Sequence, residues 1–162
     1  MIIEYEEKYK DNCKDLLVEL EEYICSIDED HLDQIHKNYR EKMFEKDLKE
    51  VNQKNGKIYL AIEDNKAVGL IMGCIREYDD LDYLDYTCPK MGEVIELIVS
   101  KTSRGKGLGK ELMKRLEIYF QELGCEYILV DVFSYNKKAI NFYGLEGYHS
   151  RMNTMIKKMD ES

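Results

Sequence analysis

One segment in the second half of the chain constrains its fold more than any other. Glu93–Ser100 is an apolar run that predicts a buried strand, and Tyr127–Phe133 is a second such run. Between them lie a glycine-rich turn and a leucine stripe at helical spacing, which predicts a helix that ends at Gly124. A strand–helix–strand unit joins parallel neighbouring strands by a right-handed crossover. We therefore predict an α/β fold in which these two strands are parallel neighbours.

The other patterns predict antiparallel strands and further helices. Ile58–Ile62 and Ala67–Met72 flank a short polar turn, which is typical of an antiparallel hairpin. The apolar stripe of the second helical region drifts in phase, so that region is either one helix or two. Together these patterns predict a mixed, mostly antiparallel sheet in a single domain spanning residues 1–162. The remaining predicted elements are a strand at Ile2–Tyr5, helices at Lys10–Ile27, Leu32–Asn55 and Lys137–Leu145, and a closing strand or hairpin at Tyr148–Met159.

The composition disfavours several classes of function. The chain has 24 basic and 33 acidic residues, and its net charge of -9 argues against a nucleic-acid partner. No apolar run approaches the ~18 residues of a membrane-spanning helix. The N-terminus lacks both the basic opening and the apolar stretch of an export signal. We expect a cytoplasmic protein with no membrane partner, either a monomer or a homodimer.

The cysteines and histidines do not predict a metal site. The five cysteines are scattered, and no two of them form a Cys-x-x-Cys pair. His31 and His36 are five residues apart, which does not align them on one helix face, and His149 is remote. We expect reduced, mostly packed thiols and no bound metal.

The turn between the strand and the helix has the features of an anion-binding site. Three glycines alternate with other residues in Arg104–Gly109, directly before the predicted helix. Glycines let backbone N–H groups converge on a ligand, and the helix N-terminus adds positive potential, so a phosphate or pyrophosphate is the expected occupant. Six basic residues and one acid lie between Lys101 and Arg115. The spacing matches neither a Walker A loop nor a dinucleotide-binding loop, which makes ATP and NAD weaker candidates.

The same turn resembles a motif of the GNAT superfamily of N-acetyltransferases. Arg104–Gly109 matches the family pattern Arg/Gln-x-x-Gly-x-Gly/Ala. A second match follows at the expected distance, because Asn136–Tyr148 is similar to Asn-x-x-Ala-x-x-Phe-Tyr-x-x-x-Gly-Phe/Tyr. The resemblance is close from Glu93 to Tyr148. It implies acetyl-coenzyme A as the co-substrate and a cofactor cleft where the two parallel strands diverge, with helices on both faces of the sheet.

The resemblance also assigns roles to individual residues. Arg104 would support the turn, and Asn136 would bond to the pantetheine arm. The exposed strand amide near Ile98 would polarise the acetyl carbonyl. The backbone groups expected to pair with the pantetheine arm are those of Leu97, Ile98 and Val99, and the amides expected to hold the pyrophosphate are those of Gly105, Lys106, Gly107, Leu108, Gly109 and Lys110.

Three residues are candidates for proton transfer. Tyr143 matches the tyrosine that protonates the departing coenzyme A thiolate, although its helical spacing with Ala139 and Ile140 is also that of a core residue. A carboxylate is expected as the base that takes a proton from the acceptor ammonium. Strict alternation along the strand would place Glu93 and Glu96 on opposite faces. Glu93 is favoured weakly over Glu96, and either can instead be a structural carboxylate.

The acceptor is predicted only as a class. Five acids alternate with tyrosines between Glu77 and Tyr86, a pattern that would attract a cationic amine such as a polyamine, an aminoglycoside-like amine or a basic peptide end. The same segment can equally be a solvated loop. Our leading hypothesis is direct acetyl transfer to a small-molecule or peptide amine. The alternative is a non-catalytic acyl-coenzyme A binding or sensing module, which Ile95 favours because many relatives carry an acid there; a different phosphate-ligand enzyme is the third reading.

Overall fold

Five strands form one mixed sheet in the order β1-β2-β3-β4-β5. The computed structural model describes residues 1–159, of which Met1–Asp131 form one compact unit, and a second unit begins at Val132. The elements are β1 (Ile2–Glu4), α1 (Lys10–Ile27), α2 (Tyr39–Gln53), β2 (Lys57–Glu63), β3 (Lys66–Ile75), β4 (Met91–Val99), α3 (Leu108–Glu122), β5 (Tyr127–Val130) and α4 (Lys137–Leu145), with short 3-10 turns at Glu7–Tyr9, Asp82–Leu84 and Lys101–Ser103.

The strand pairing confirms the predicted sheet. The first four strands are antiparallel to their neighbours, and β4 is parallel to β5. The β2–β3 hairpin turns at Asp64 and Asn65, whose φ angles of 47° and 60° are those of a type I′ turn. Aspartate and asparagine tolerate this left-handed conformation better than most residues, which explains why these two occupy the turn.

Helices cover both faces of the sheet. On one face α1 and α2 pack against the strands, with Leu17, Phe44 and Leu60 fully buried. On the other face the apolar stripe of α3 supplies Leu112, Leu116 and Phe120, none of which is exposed to solvent. The helix boundaries predicted for Lys10–Ile27 and Lys137–Leu145 are confirmed.

Two sequence-based predictions about regular structure are wrong. The second helix begins only at Tyr39, because the buried carboxylate of Asp28 accepts the N–H groups of Asp30, Leu32 and Asp33 and holds the preceding chain in an irregular loop. The segment from 148 to 159 forms no strand or hairpin in the part of the chain that the structure describes. Apart from the half-buried Tyr148, its residues are exposed, so strand-like alternation there has no core to stabilise it.

Gly92 sets how closely α3 approaches the sheet. A Cβ atom at this position of β4 would overlap with the ring of Phe120. Gly92→Ala should lower the free energy of unfolding by about 1–3 kcal/mol, because a fully buried ring has no room to move aside. Urea unfolding would measure the loss. Gly144→Ala is the matched control, since a Cβ there meets no atom within 4 Å and alanine favours a helix; an equal loss in both variants would contradict this prediction.

Candidate active site

The turn between β4 and α3 leaves free space above two of its glycines. Gly105 and Gly107 have φ angles of 80° and 79°, a conformation that side-chain-bearing residues rarely adopt. A Cβ on either glycine would meet no described atom within 4 Å, so the space above the turn is free. The helix then starts at Leu108, and the N–H groups of its first turn have no partner within the helix. This arrangement can bind an anionic ligand through the backbone.

Basic side chains of the same turn hold its shape. The Nε atom of Arg104 donates to the carbonyl oxygen of Val99 at 2.9 Å. The ammonium of Lys106 is paired with the carboxylate of Glu63 at 2.9 Å, and the hydroxyl of Ser103 donates to the same carboxylate at 2.8 Å. Glu63, at the end of β2, therefore anchors the turn from one side.

Glu19 anchors the turn from the direction of α1. Its carboxylate accepts a hydrogen bond from the hydroxyl of Ser100 at 3.0 Å and from the N–H of Lys101 at 2.7 Å. An open cleft of about 470 Å³ lies beside these residues, between α1 and the turn. Sequence reasoning missed both Glu19 and Glu63, because each acts on residues at least 40 positions away in the chain and no local motif marks such a contact.

The parallel strands separate halfway along β4. Pairing with β5 runs from Met91 to Val94 and stops there, although β4 continues to Val99. The N–H of Ser100 bonds to β3, and alternate residues of a strand turn their peptide groups the same way. The peptide groups of Ile98 therefore face β3, whereas those of Leu97 and Val99 face the edge that β5 has left. This edge can accept an extended polar ligand.

A β-bulge at Ile95 changes which side chains share a face of β4. Met72 on β3 pairs with Glu96, whereas the next residue, Gly73, pairs with Val94, so Ile95 is the extra residue. Residues directly opposite each other lie on the same face, which places Glu96 beside Met72 and Glu93 beside Cys74. The prediction that Glu93 and Glu96 lie on opposite faces is therefore wrong. Both lie on the face covered by α1 and α2.

The two glutamates nevertheless have different surroundings. Glu93 forms an ion pair with Arg76, with 3.0 Å between the guanidinium and the carboxylate, and that guanidinium also lies over the ring of Tyr78. Among the described residues Glu96 forms no such ion pair, and Lys46 is the cation whose charge acts to lower its pKa. Burial raises the pKa of Glu96 to about 8, and the negative charges of Asp47 and Glu21 act in the same direction. A carboxyl group with this pKa exchanges a proton near neutral pH, as a general base must.

The second unit carries the two remaining predicted residues on α4. The side chain of Asn136 caps the helix by accepting the N–H of Ala139 at 3.1 Å. Tyr143 is buried, with the rings of Phe142 and Tyr148 within 6 Å of its own. These contacts fix the position of Tyr143 within its unit. Asn136 has a structural role as the N-cap of α4.

The acidic loop before β4 is held in shape by hydrogen bonds among its own residues. The carboxylate of Asp79 accepts the N–H groups of Leu81 and Asp82, and the carboxylate of Asp82 accepts the N–H of Asp79. The ring of Tyr83 is exposed. The proposed attraction of this loop for a cationic acceptor stays a prediction.

Residues 1–159 contain no candidate metal cluster, no membrane-spanning helix and no disulfide. There, no three or more histidine, cysteine, aspartate and glutamate side chains come together as they would around a metal ion. None of the helices in that range has the length and apolar composition that crossing a bilayer requires. All five cysteines are free thiols, as expected from the sequence.

Comparison with protein families decides what this arrangement is. The profile of the Acetyltransferase (GNAT) family matches residues 21–148. The chain belongs to the GNAT acetyltransferase family. An uncharacterized N-acetyltransferase of Methanocaldococcus jannaschii is 36% identical over 94 residues, which cover 57% of this chain and 53% of that protein. The chain thus matches about half the length of this GNAT relative.

Solved structures share the GNAT fold over nearly the whole chain. The BH1408 protein of Bacillus halodurans, solved in a mutant form, has a TM-score of 0.83 at 17% identity and covers 98% of this chain and 99% of its own. An aminoglycoside N-acetyltransferase in complex with coenzyme A has a TM-score of 0.69 at 14% identity and covers 99% of both chains. At these identities the likeness establishes the fold alone.

The raised pKa of Glu96 predicts a pH dependence of stability. The pKa of Glu96 is 4.5 in an unfolded chain and about 8 in the folded protein, so between these pH values the unfolded chain binds fewer protons. The free energy of unfolding should therefore fall as pH rises from about 5 to 8, by about 1.4 kcal/mol for each pKa unit at most. Glu96→Gln removes this contribution, so in urea unfolding its stability relative to the wild type should increase steadily over that range. A difference that stays constant with pH would contradict the prediction.

Proposed function

We propose that this GNAT protein transfers an acetyl group from acetyl-coenzyme A to a primary amine, and that residues 1–162 act as one N-acetyltransferase domain. The observation that carries the proposal is the open glycine turn at the start of α3, next to the edge of β4 that β5 leaves unpaired. A phosphate group fits the first feature and an extended amide chain fits the second. Coenzyme A contains both groups in one molecule.

The turn amides from Gly105 to Lys110 hold the pyrophosphate in this proposal. The peptide groups of Leu97 and Val99, which face the open edge, bond to the pantetheine arm, with Asn136 assigned to the same arm by its motif. Because Ile98 directs its own peptide groups to β3, the amide that polarises the acetyl carbonyl belongs to a neighbour of Ile98. Such a preorganised donor is commonly worth about 3–4 kcal/mol at the transition state.

Glu96 is the proposed base and Tyr143 the proposed acid. The acceptor ammonium gives one proton to the Glu96 carboxylate, and the free amine then forms a C–N bond with the acetyl carbon as the C–S bond breaks. The nitrogen loses a second proton as the amide forms, which balances the proton that Tyr143 gives to the thiolate. Glu93 is the weaker candidate for the base, because its carboxylate is already paired with Arg76.

The thiols support direct transfer in a ternary complex over an acetyl-cysteine intermediate. A nucleophilic cysteine needs a lowered pKa. Burial instead raises the pKa of Cys74 to about 11 and that of Cys13 to about 12. It also raises the pKa of the other three, Cys25, Cys88 and Cys125. The alternative, a non-catalytic binding module, was favoured by the lack of an acid at position 95. Because Ile95 is the bulged residue and its neighbour Glu96 is an acid, this argument is weaker than the argument for an enzyme.

The acceptor proposed is a small cationic amine or a peptide amine. The aminoglycoside N-acetyltransferase that shares the fold is named for an amine-bearing acceptor, and another structure of the same fold is a glucosamine-6-phosphate N-acetyltransferase from Arabidopsis thaliana. The net charge of -9 favours a cation over an anion as the second substrate. An assay of thiol release from acetyl-coenzyme A over a panel of amines tests the activity directly, and no release with any amine would exclude it.

Gly107→Ala should weaken binding of coenzyme A by about tenfold or more, because the new Cβ enters the free space above the turn and strains a left-handed residue. Calorimetry with coenzyme A measures the loss. Gly124→Ala is the matched control: Gly124 has a φ of 78° and lies at the other end of α3. Both variants carry a similar strain of about 1–2 kcal/mol, so equal losses of affinity in the two would count against the site.

Tyr143→Phe should lower kcat by about a hundredfold and leave the affinity for coenzyme A nearly unchanged, because only the proton donor to the thiolate is lost. Steady-state kinetics with the best amine of the panel, together with calorimetry, separates the two effects. Tyr127→Phe serves as a control, since Tyr127 is exposed at the start of β5. An undiminished kcat would make Tyr143 a packing residue.

A further inference from the structure

A group of three carboxylates lies between the two N-terminal helices and the bulged strand. Glu96 projects from β4 toward α1 and α2, Glu21 comes from α1, and Asp47 comes from the face of α2 that also buries Phe44 and Val51. The charges of Asp47 and Glu21 both act on Glu96, so the three groups are close enough to interact through poorly solvated protein. We call these three residues the acidic cluster.

In the acidic cluster, one carboxylate oxygen of Asp47 lacks a hydrogen-bond donor among the described residues. Its side chain is only 1% exposed, yet its Oδ2 atom accepts no hydrogen bond from the described residues. Its Oδ1 atom lies 3.4 Å from the ammonium of Lys46, which is 67% exposed and therefore compensates weakly. A buried carboxylate oxygen without a hydrogen-bond donor lowers the stability of the folded protein. The Oδ2 atom of Asp47 is therefore a candidate acceptor for a hydrogen bond from a ligand.

During acetyl transfer one residue of the acidic cluster loses its negative charge and the other two do not. In the proposed function Glu96 takes a proton and becomes neutral, and the reacting nitrogen also becomes neutral. Asp47 remains, together with Glu21, which already accepts a hydrogen bond from Tyr39. A second ammonium group on the acceptor would give the Oδ2 atom of Asp47 a donor that keeps its charge through the reaction.

We propose that Asp47 binds the non-reacting ammonium group of a diamine or polyamine acceptor, and so selects acceptors with two cationic groups. This inference rests on the proposed function and names its acceptor class. The interaction would be a charge-assisted hydrogen bond from the ammonium to the Oδ2 atom of Asp47, in a setting where desolvation makes such a bond strong. An acceptor with one ammonium group would leave this oxygen unpaired.

The test compares 1,4-diaminobutane with butylamine as acceptors for the wild type and for Asp47→Asn. We expect the wild type to favour the diamine in kcat/KM by about tenfold or more, and Asp47→Asn to remove most of this preference by raising KM for the diamine. Glu45→Gln is the matched control, because it removes one carboxylate from the exposed face of the same helix, where Glu45 pairs with Lys10. An unchanged preference in Asp47→Asn would overturn the proposal.

Stability separates a ligand-binding role from a structural one. Since the Asp47 carboxylate is buried without full compensation, Asp47→Asn should unfold at a higher temperature than the wild type while it loses the diamine preference. A lower melting temperature, with equal losses for both amines, would make Asp47 a structural residue and overturn the proposal.

Calorimetry keeps this inference separate from the acetyl transfer itself. The coenzyme A complex of each variant is titrated with 1,4-diaminobutane, which requires no turnover. Binding to the wild type that Asp47→Asn loses would support the site even if no amine were acetylated and the proposed function had failed. No binding of the diamine to the wild type would overturn the site, whether or not other amines are acetylated.

Discussion

The organisation of the candidate site depends on one irregularity in the hydrogen bonding of β4. At Ile95 the strand gains a residue relative to β3, and one residue earlier, at Val94, its pairing with β5 ends. A bulge bends a strand and increases its twist, which is consistent with the neighbouring strand being left behind at this point. The peptide groups of Leu97 and Val99 therefore face the edge that β5 has left, where the Val99 carbonyl oxygen already accepts a hydrogen bond from Arg104. In the proposal they receive the pantetheine arm.

The same bulge places both glutamates of β4 on the face under α1 and α2. Without the extra residue, strict alternation would place Glu93 and Glu96 on opposite faces of the sheet. With it, both acids lie over the N-terminal helices, where one is neutralised by Arg76 and the other meets further carboxylates. A single inserted residue therefore gives the site both an open edge and a carboxyl group that titrates near pH 8.

The protein retains electrostatic costs near this face that packing alone would remove. Asp47 and Glu96 are poorly solvated carboxylates in a layer otherwise filled by apolar side chains. Hydrophobic residues of similar volume would stabilise the fold more. Two other buried polar side chains are satisfied: Asp28 accepts three backbone N–H groups, and Ser103 bonds to Glu63. By contrast, the unsatisfied Oδ2 atom of Asp47 lies where ligand binding is proposed.

Local sequence determined most of the elements and the glycine-rich turn, because both depend on short-range chemistry. Helical spacing predicted the bounds of α1 and α4, and the alternating glycines of Arg104–Gly109 predicted the turn before α3. The exposed segment from 148 to 159 was predicted wrongly, because a strand needs partners that no local pattern reveals.

Only the tertiary structure decided the register of β4 and the proximity of the three carboxylates. A bulge depends on which residues of β3 lie opposite, and strict alternation along one strand cannot show it. Glu21, Asp47 and Glu96 are separated by 26 and 49 positions in the sequence, so their mutual repulsion appears only once α1, α2 and β4 are packed together. The sequence by itself thus determined what family of fold forms and where a phosphate can bind, whereas packing decided which carboxyl group has the properties of a base.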